Sequence, residues 1–313
     1  MKMKNGLILF LTAFIWGTAF VAQSVGMDYL GPFSFNGIRN FVGGIALIPC
    51  IMLLDRIGRR SERARGEVTE KSIQRENNQE EGAQKGSRRA LITGGICCGL
   101  CLFAASSLQQ IGIQYTTVGK AGFITAFYIV LVPVLGIFLK KRIGWKVWAA
   151  VILSLAGLYF LCITEAFTIG KGDIYVFLCA LIFSVHILVI DYFAPRTDGV
   201  KMSCIQFFVV GVLSLPFIFA FETITWAAVL KSMKAILYAG VMSSGVGYTL
   251  QIIGQKNMNP AIASLILSLE SSISVLAGWV ILGQSLSVRE GFGCAMMFAA
   301  IILAQIPDKI KNN

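Results

Sequence analysis

Apolar residues run through this chain in blocks long enough to cross a lipid bilayer, for which about 20 residues suffice. Ten such blocks, bounded by charge, Gly or Pro, stand at residues 7–26, 33–54, 90–111, 118–139, 145–164, 173–192, 203–221, 235–254, 261–282 and 291–306. In lipid every backbone amide must be satisfied within its own segment, so each block predicts a helix. Outer-membrane strands alternate in polarity and run to about ten residues, which these uniform blocks do not do. Pro32, Pro195, Pro260 and Pro307 fall at or beyond block ends, where a missing amide costs little, while Pro49, Pro133 and Pro216 lie inside and mark candidate kinks.

Composition strengthens this pattern. Hydrophobic residues make up 56% of the 313 and charged residues only 14%, against roughly 45–50% and about 25% in soluble domains. The expected fold class is an all-α polytopic membrane protein. The block at 7–26 follows Lys2 and Lys4 as a signal peptide would, but its length and the lack of an A-x-A cleavage site predict an uncleaved first span. All eight cysteines lie in apolar runs, unlike a disulfide framework. Cys97, Cys98 and Cys101 have no local His or acid and predict packing rather than a metal site.

The net charge of +11 changes the picture only through its placement. Ten of the 27 Lys and Arg fall in the stretch 55–89 beside seven acids, with no aromatic residue to stack on a base. That stretch reads as a solvated, mobile cytoplasmic loop, and nucleic acid is not an expected partner. With the N-terminus inside, 21 of the 27 cations face the cytoplasm, five face outward and Arg39 stays in the membrane. The positive-inside rule therefore predicts a multi-pass cell-membrane protein with both termini cytoplasmic.

The chain also resembles itself. An offset of 167 places Ala13 on Ala180, Trp16 on Phe183, Arg39 on Gln206, Gly44 on Gly211 and Pro49 on Pro216. An offset of 143 runs without a gap from Lys141 on Gln284 to Ile163 on Ile306. Five spans per half is an odd number, so the second half enters the membrane with opposite polarity. The expectation is ten transmembrane helices as two inverted five-helix repeats, 1–164 (with the 55–89 loop) and 173–306, followed by a cytoplasmic tail at 307–313. Inverted repeats of this kind characterise secondary transporters, whose substrate sits near the midplane between them.

The segments "LTAFIWGTAF", "FNGIRNFVGG", "AGFITAFYIVLVPVLGIFLKKRIGWKVWAAVILSLAGLYF" and "ASLILSLESSISVLAGWVILGQSLSVREGFGCAMMFAAIILA" carry a resemblance to the EamA-type members of the drug/metabolite transporter superfamily. It covers nearly the whole chain outside 55–89. Family members read leucine-glutamate-proline at Leu269-Glu270-Ser271 and glycine-glutamate at Gly283-Gln284, so Ser271 and Gln284 depart from the pattern. The first departure removes the proline that would kink the ninth helix. The resemblance implies a central cavity and export or exchange of amino acids, related metabolites or drugs.

Polar groups at depth are costly and need a reason: about 2.5–3.5 kcal/mol for an ionised side chain on insertion scales. Glu270 falls near the midplane of the ninth span and is the only acid well inside any span. It is a candidate to bind a proton or a cationic group, or else a neutral link between helices. Arg39 lies roughly 9 Å deep at about 1.5 Å per residue. It could attract a carboxylate or form a structural pair. His186, the single histidine, suits proton transfer or packing, with Asp191 or a polar cavity residue as partner. Trp16, Asn36, Gln109, Tyr128, Tyr248 and Gln251 are neutral cavity candidates that could equally be interhelical links, and Gln109 and Gln251 coincide at an offset of 142. Gly95-x-x-x-Gly99 predicts close helix packing.

These features point to a secondary transporter of small organic metabolites, with a proton as candidate coupling ion. Gly119-Lys120 lacks the upstream glycine and the following Ser or Thr of a phosphate loop, so nucleotide drive is not expected. An intramembrane enzyme would need a second carboxylate, a nucleophile with its base, or a metal site, none of which the spacing supplies. A membrane scaffold or signalling protein is the alternative. No cofactor is expected, and the oligomeric state is open.

Overall fold

The computed structural model describes residues 2–64, 73–116, 118–141, 143–162, 169–282 and 286–305. Among these it is all-helical, without strands, and eight helical segments are long and apolar enough to cross a membrane. In chain order the helices are α1 (Lys2–Met27), α2 (Pro32–Ala64), α3 (Ile73–Ile113), α4 (Val118–Thr125), α5 (Tyr128–Phe138), α6 (Trp145–Cys162) and α7 (Lys171–Phe193). They continue with α8 (Gly199–Phe221), α9 (Trp226–Lys231), α10 (Met233–Leu237), a π-helical stretch (Tyr238–Tyr248), α11 (Thr249–Gln255), α12 (Pro260–Leu267), α13 (Leu269–Leu282) and α14 (Val288–Gln305). Phe219, Val280 and Ile152 stay exposed around the outside, as side chains facing hydrocarbon do.

One expectation needs correction. The polar stretch at 55–89 is not simply a loop: α2 continues to Ala64 and α3 begins at Ile73. Helical propensity carries both spans past the apolar blocks, since Arg, Glu, Gln, Lys and Ala are all good helix formers. Residues 65–72 lie outside the described set, as do the repeat boundary near 164 and the 307–313 tail. Pro49, Pro133 and Pro216, the candidate kink positions, lie inside continuous helices. The breaks fall elsewhere, between α4 and α5 and between α12 and α13. At the second break, Ser264 and Ser268 return their hydroxyls to the carbonyls of Ala261 and Leu265 at 2.9 and 2.8 Å. The break thus stands with serine, not proline, at 271.

The two breaks share one hydrogen-bond pattern. Ala126 N donates to Gly122 O and Ile129 N to Ala126 O, while Ser268 N donates to Ser264 O and Ser271 N to Ser268 O. Each bond in the second set follows its counterpart at the offset of 142 that also separates Tyr128 from Glu270.

One of the closely packed pairs is antiparallel, α2 on α8. A Cβ at Gly44 would meet the Phe208 ring, and a Cβ at Gly211 would meet the Phe41 ring. The two contacts are one contact made twice, because both pairs of positions are 167 apart. Both ends of the pair carry an acid. Glu222 accepts from the amides of Phe33 and Ser34 at the start of α2, each at 2.8 Å, and Asp55 pairs with Lys201 at the start of α8 at 2.8 Å. A carboxylate at a helix N-terminus satisfies free amides and complements the dipole.

Further pairs repeat the device. Gly99 of α3 abuts Val209 and the Gln206 carbonyl, and Gly240 abuts Val42 and the Arg39 carbonyl. Gly95 lets Ile205 approach α3, so Gly95 and Gly99 together admit α8. Gly99 and Gly240 are 141 apart, whereas Gln109 and Gln251 are 142 apart. The extra residue falls within the π-helical turns between them, which accommodate an insertion without breaking the helix. Elsewhere α6 packs along α14, where Gly157 and Gly293 meet each other's carbonyls.

Candidate functional site

Where the broken helices meet α1, α2, α3, α7 and the π-helical stretch, they line a partly open cavity of about 40 Å³. That volume holds a few waters, each needing roughly 10–15 Å³ by this measure. A metabolite fits only if the surrounding helices part.

Seven candidates from the sequence line it: Trp16, Arg39, Gln109, Tyr128, Tyr248, Gln251 and Glu270. The helix breaks explain two of them. Tyr128 and Glu270 each stand three residues past the end of the preceding helix, where the turn points the side chain inward. Tyr128 Oη donates to Glu270 Oε1 at 3.2 Å. The tryptophan wall is fixed by the π-helical stretch, since Trp16 Nε1 donates to the Ser243 carbonyl at 3.3 Å. The Trp16 and Tyr248 rings lie 4.6 Å apart. Gln109 Nε2 donates to Thr125 Oγ1 at 3.2 Å, and Gln251 Oε1 has no protein partner among the described residues.

Arg39 is 3% exposed, and its hydrogen-bond partners are neutral. Its Nη1 donates to Gln23 Oε1 at 2.8 Å, and its Nε and Nη2 both donate to Asn36 Oδ1, at 3.2 and 3.1 Å. Gln23 Oε1 also accepts from Gln110 Nε2, and Asn36 Nδ2 donates to Ser106 Oγ. Asn36 thus aims the guanidinium from behind and does not line the cavity. Among the described residues no carboxylate pairs with Arg39, and no ion pair joins it to Glu270. A buried cation without a counter-charge is a costly arrangement unless an anion visits it.

His186 also stands outside the cavity. It is fully buried, with Nε2 at 3.3 Å from Gln206 Oε1 and its ring edge-on to Tyr248 at 6.2 Å. Its expected partner Asp191 instead pairs with Lys141 at 2.6 Å. The reason is placement: Asp191 lies near the end of α7, where Lys141 reaches it.

Several lining residues were not foreseen, among them Phe20, Gln23, Thr125, Phe183 and Ser243. Gln23 was detectable, because Trp16, Phe20 and Gln23 follow the i, i+4, i+7 spacing of one helical face. Ser243 was not, since its carbonyl matters and only the π-helical geometry presents it.

The profile of the EamA-like transporter family matches residues 4–163 and, a second time, residues 170–305. An uncharacterized transporter of Archaeoglobus fulgidus is 26% identical over 299 residues, covering 95% of this chain and 84% of its own. Two from Bacillus subtilis are similar. The uncharacterized transporter YwfM is 24% identical, covering 98% of this chain and 95% of its own. The uncharacterized transporter YoaV is 21% identical, covering 92% of each. A protein crystal structure superposes with a TM-score of 0.74 at 19% identity, over 97% of this chain and 96% of that one; at that identity it speaks for the fold alone.

Proposed function

The chain belongs to the EamA-like transporter family, and from that premise we propose that it carries small zwitterionic metabolites, amino acids foremost, by alternating access. The single observation behind this reading is that Arg39 and Glu270 line one cavity without pairing with each other. A guanidinium held by neutral amides recognises a carboxylate, and a membrane-embedded carboxylate recognises an ammonium. A solute bearing both groups satisfies both side chains at once. Trp16 and Tyr248 offer ring faces to its side chain.

The mechanism we infer is the rocking of two inverted five-helix halves about a shared axis, within a ten-helix arrangement in which α6 and α14 complete the count. Several features support it. The family profile matches twice, and the contacts of Gly44 with Phe208 and of Phe41 with Gly211 are reciprocal, as a two-fold relation requires. Tyr128 and Glu270 are equivalent positions that touch, and equivalent groups touch only at the axis. The cavity therefore lies on the axis of the two halves, where one site serves both faces. In this reading both termini are cytoplasmic, the membrane is the cell membrane and the protein exports or exchanges its solute. Glu270 takes a proton when the amine leaves.

Counterflow in proteoliposomes tests this, with a panel of amino acids, nucleosides and organic cations. Exchange of labelled amino acids supports the reading, and exchange confined to nucleosides or to cations without a carboxylate contradicts it.

A further inference from the structure

Gln255 is the last residue of α11 and is 1% exposed, yet neither its Oε1 nor its Nε2 has a partner among the described residues. An unsatisfied buried polar atom is costly, and this side chain has two. The fold does not demand an amide there. At the offset that relates Tyr128 to Glu270, the other half's equivalent helix carries Ile113 in its place, and an apolar side chain serves.

Gln255 has a definite direction on its helix. Tyr248, Gln251 and Gln255 follow i, i+3, i+7 spacing and so share a face. The first two line the cavity, and Gln251 Oε1 is also unpartnered. One helical turn beyond Gln251, the stripe ends at Gln255. The next residue, Lys256, is exposed at the bundle end. What covers the stripe is α1, from the other half of the chain. Leu9 is fully buried and packs so tightly on Gly254 that an added Cβ would come within 2.8 Å of it. Asn5 Nδ2 donates to the Lys256 carbonyl at 2.8 Å at that end.

We propose that the Tyr248–Gln251–Gln255 stripe is one wall of the passage between the cavity and the end of the bundle bearing Lys256, and that Gln255 is the polar group a hydrated solute meets on leaving. This rests on the alternating-access reading. When α1 swings from α11, with Leu9 leaving Gly254, water and solute reach an amide that the closed state leaves unsatisfied. The opposite passage has Ile113 at the matching place, so the two half-paths differ: the one toward Lys256 is polar along its length.

Two measurements test this. In Gln255→Cys protein in sealed vesicles, a membrane-impermeant maleimide should modify position 255 from the Lys256 side and not from the other, read by peptide mass spectrometry so that native cysteines do not interfere. Gln255→Leu removes both unsatisfied atoms. It should hold or raise the melting temperature while slowing counterflow by tenfold or more, a combination that a packing role would not give. An unlabelled position 255 in a protein that exchanges solute, or wild-type exchange by Gln255→Leu, overturns the inference. Labelling needs no solute, so it is read independently of whether amino acids prove to be the cargo.

Discussion

Tyr128 and Glu270 are joined by a 3.2 Å hydrogen bond and occupy the same position in two matching helix breaks. The same place in the architecture thus carries a phenol in one half and a carboxyl in the other. Of the two, the carboxyl is by nature much the stronger acid, so two matching breaks carry groups of very different acidity.

From this follows the first prediction. Acidification that protonates Glu270 removes the ligand for a substrate amine, so exchange should fall as pH falls. Glu270→Gln should flatten that dependence while leaving yield and monodispersity near wild type. Tyr128→Phe should keep a pH-dependent exchange, since the carboxyl remains. Counterflow across a pH series checks both variants, and an unaltered profile in Glu270→Gln would make that residue a packing group.

Arg39 gives the second. Its neutral cradle of Gln23 and Asn36 implies that Arg39→Gln removes a charge without stranding an acid. The variant should express and melt no lower than wild type. Exchange of carboxylate-bearing substrates should drop by tenfold or more, as expected for losing charged hydrogen bonds of about 1.5–3 kcal/mol. Arg39→Lys should not restore it, because an ammonium cannot reproduce the guanidinium fork. Misfolding of Arg39→Gln would assign the residue to structure.

The glycine contacts give the third. Gly240→Ala sets a methyl against the Arg39 carbonyl and Val42, and Gly99→Ala sets one against the Gln206 carbonyl and Val209. Each should cost about 1–3 kcal/mol by overpacking, seen as a lower melting temperature in detergent. Gly291→Ala meets nothing within 4 Å and should be neutral or slightly stabilising, by helix propensity.

The fourth concerns orientation. Protease should cut the 55–89 segment in inside-out vesicles and spare it in right-side-out ones. Cleavage only from the outside would reverse the topology and, with it, the face that Lys256 occupies.

Eight of the expected spans were legible in the sequence because length and uniform polarity in lipid leave the backbone one solution. Much of the cavity was legible for a related reason, since Arg39, Glu270 and the glutamines are costly in hydrocarbon and so collect where protein surrounds them. The helix breaks were not, because they fall where no proline stands. The π-helical stretch escaped too: a one-residue insertion looks like any other apolar residue, and it shows only as the change of offset from 141 at Gly240 to 142 at Gln251. His186 and Asn36 were grouped with the cavity on polarity alone, which cannot tell a lining residue from one that holds a lining residue in place.

The most direct test of the account compares, in one proteoliposome preparation, counterflow of an amino acid and of the amine left when its carboxylate is removed. The wild type should exchange the amino acid at least tenfold faster, and Arg39→Gln should erase most of that preference by slowing the amino acid alone. Equal exchange of the two by the wild type, or an unchanged preference in Arg39→Gln, would contradict a cavity built for a zwitterion between Arg39 and Glu270.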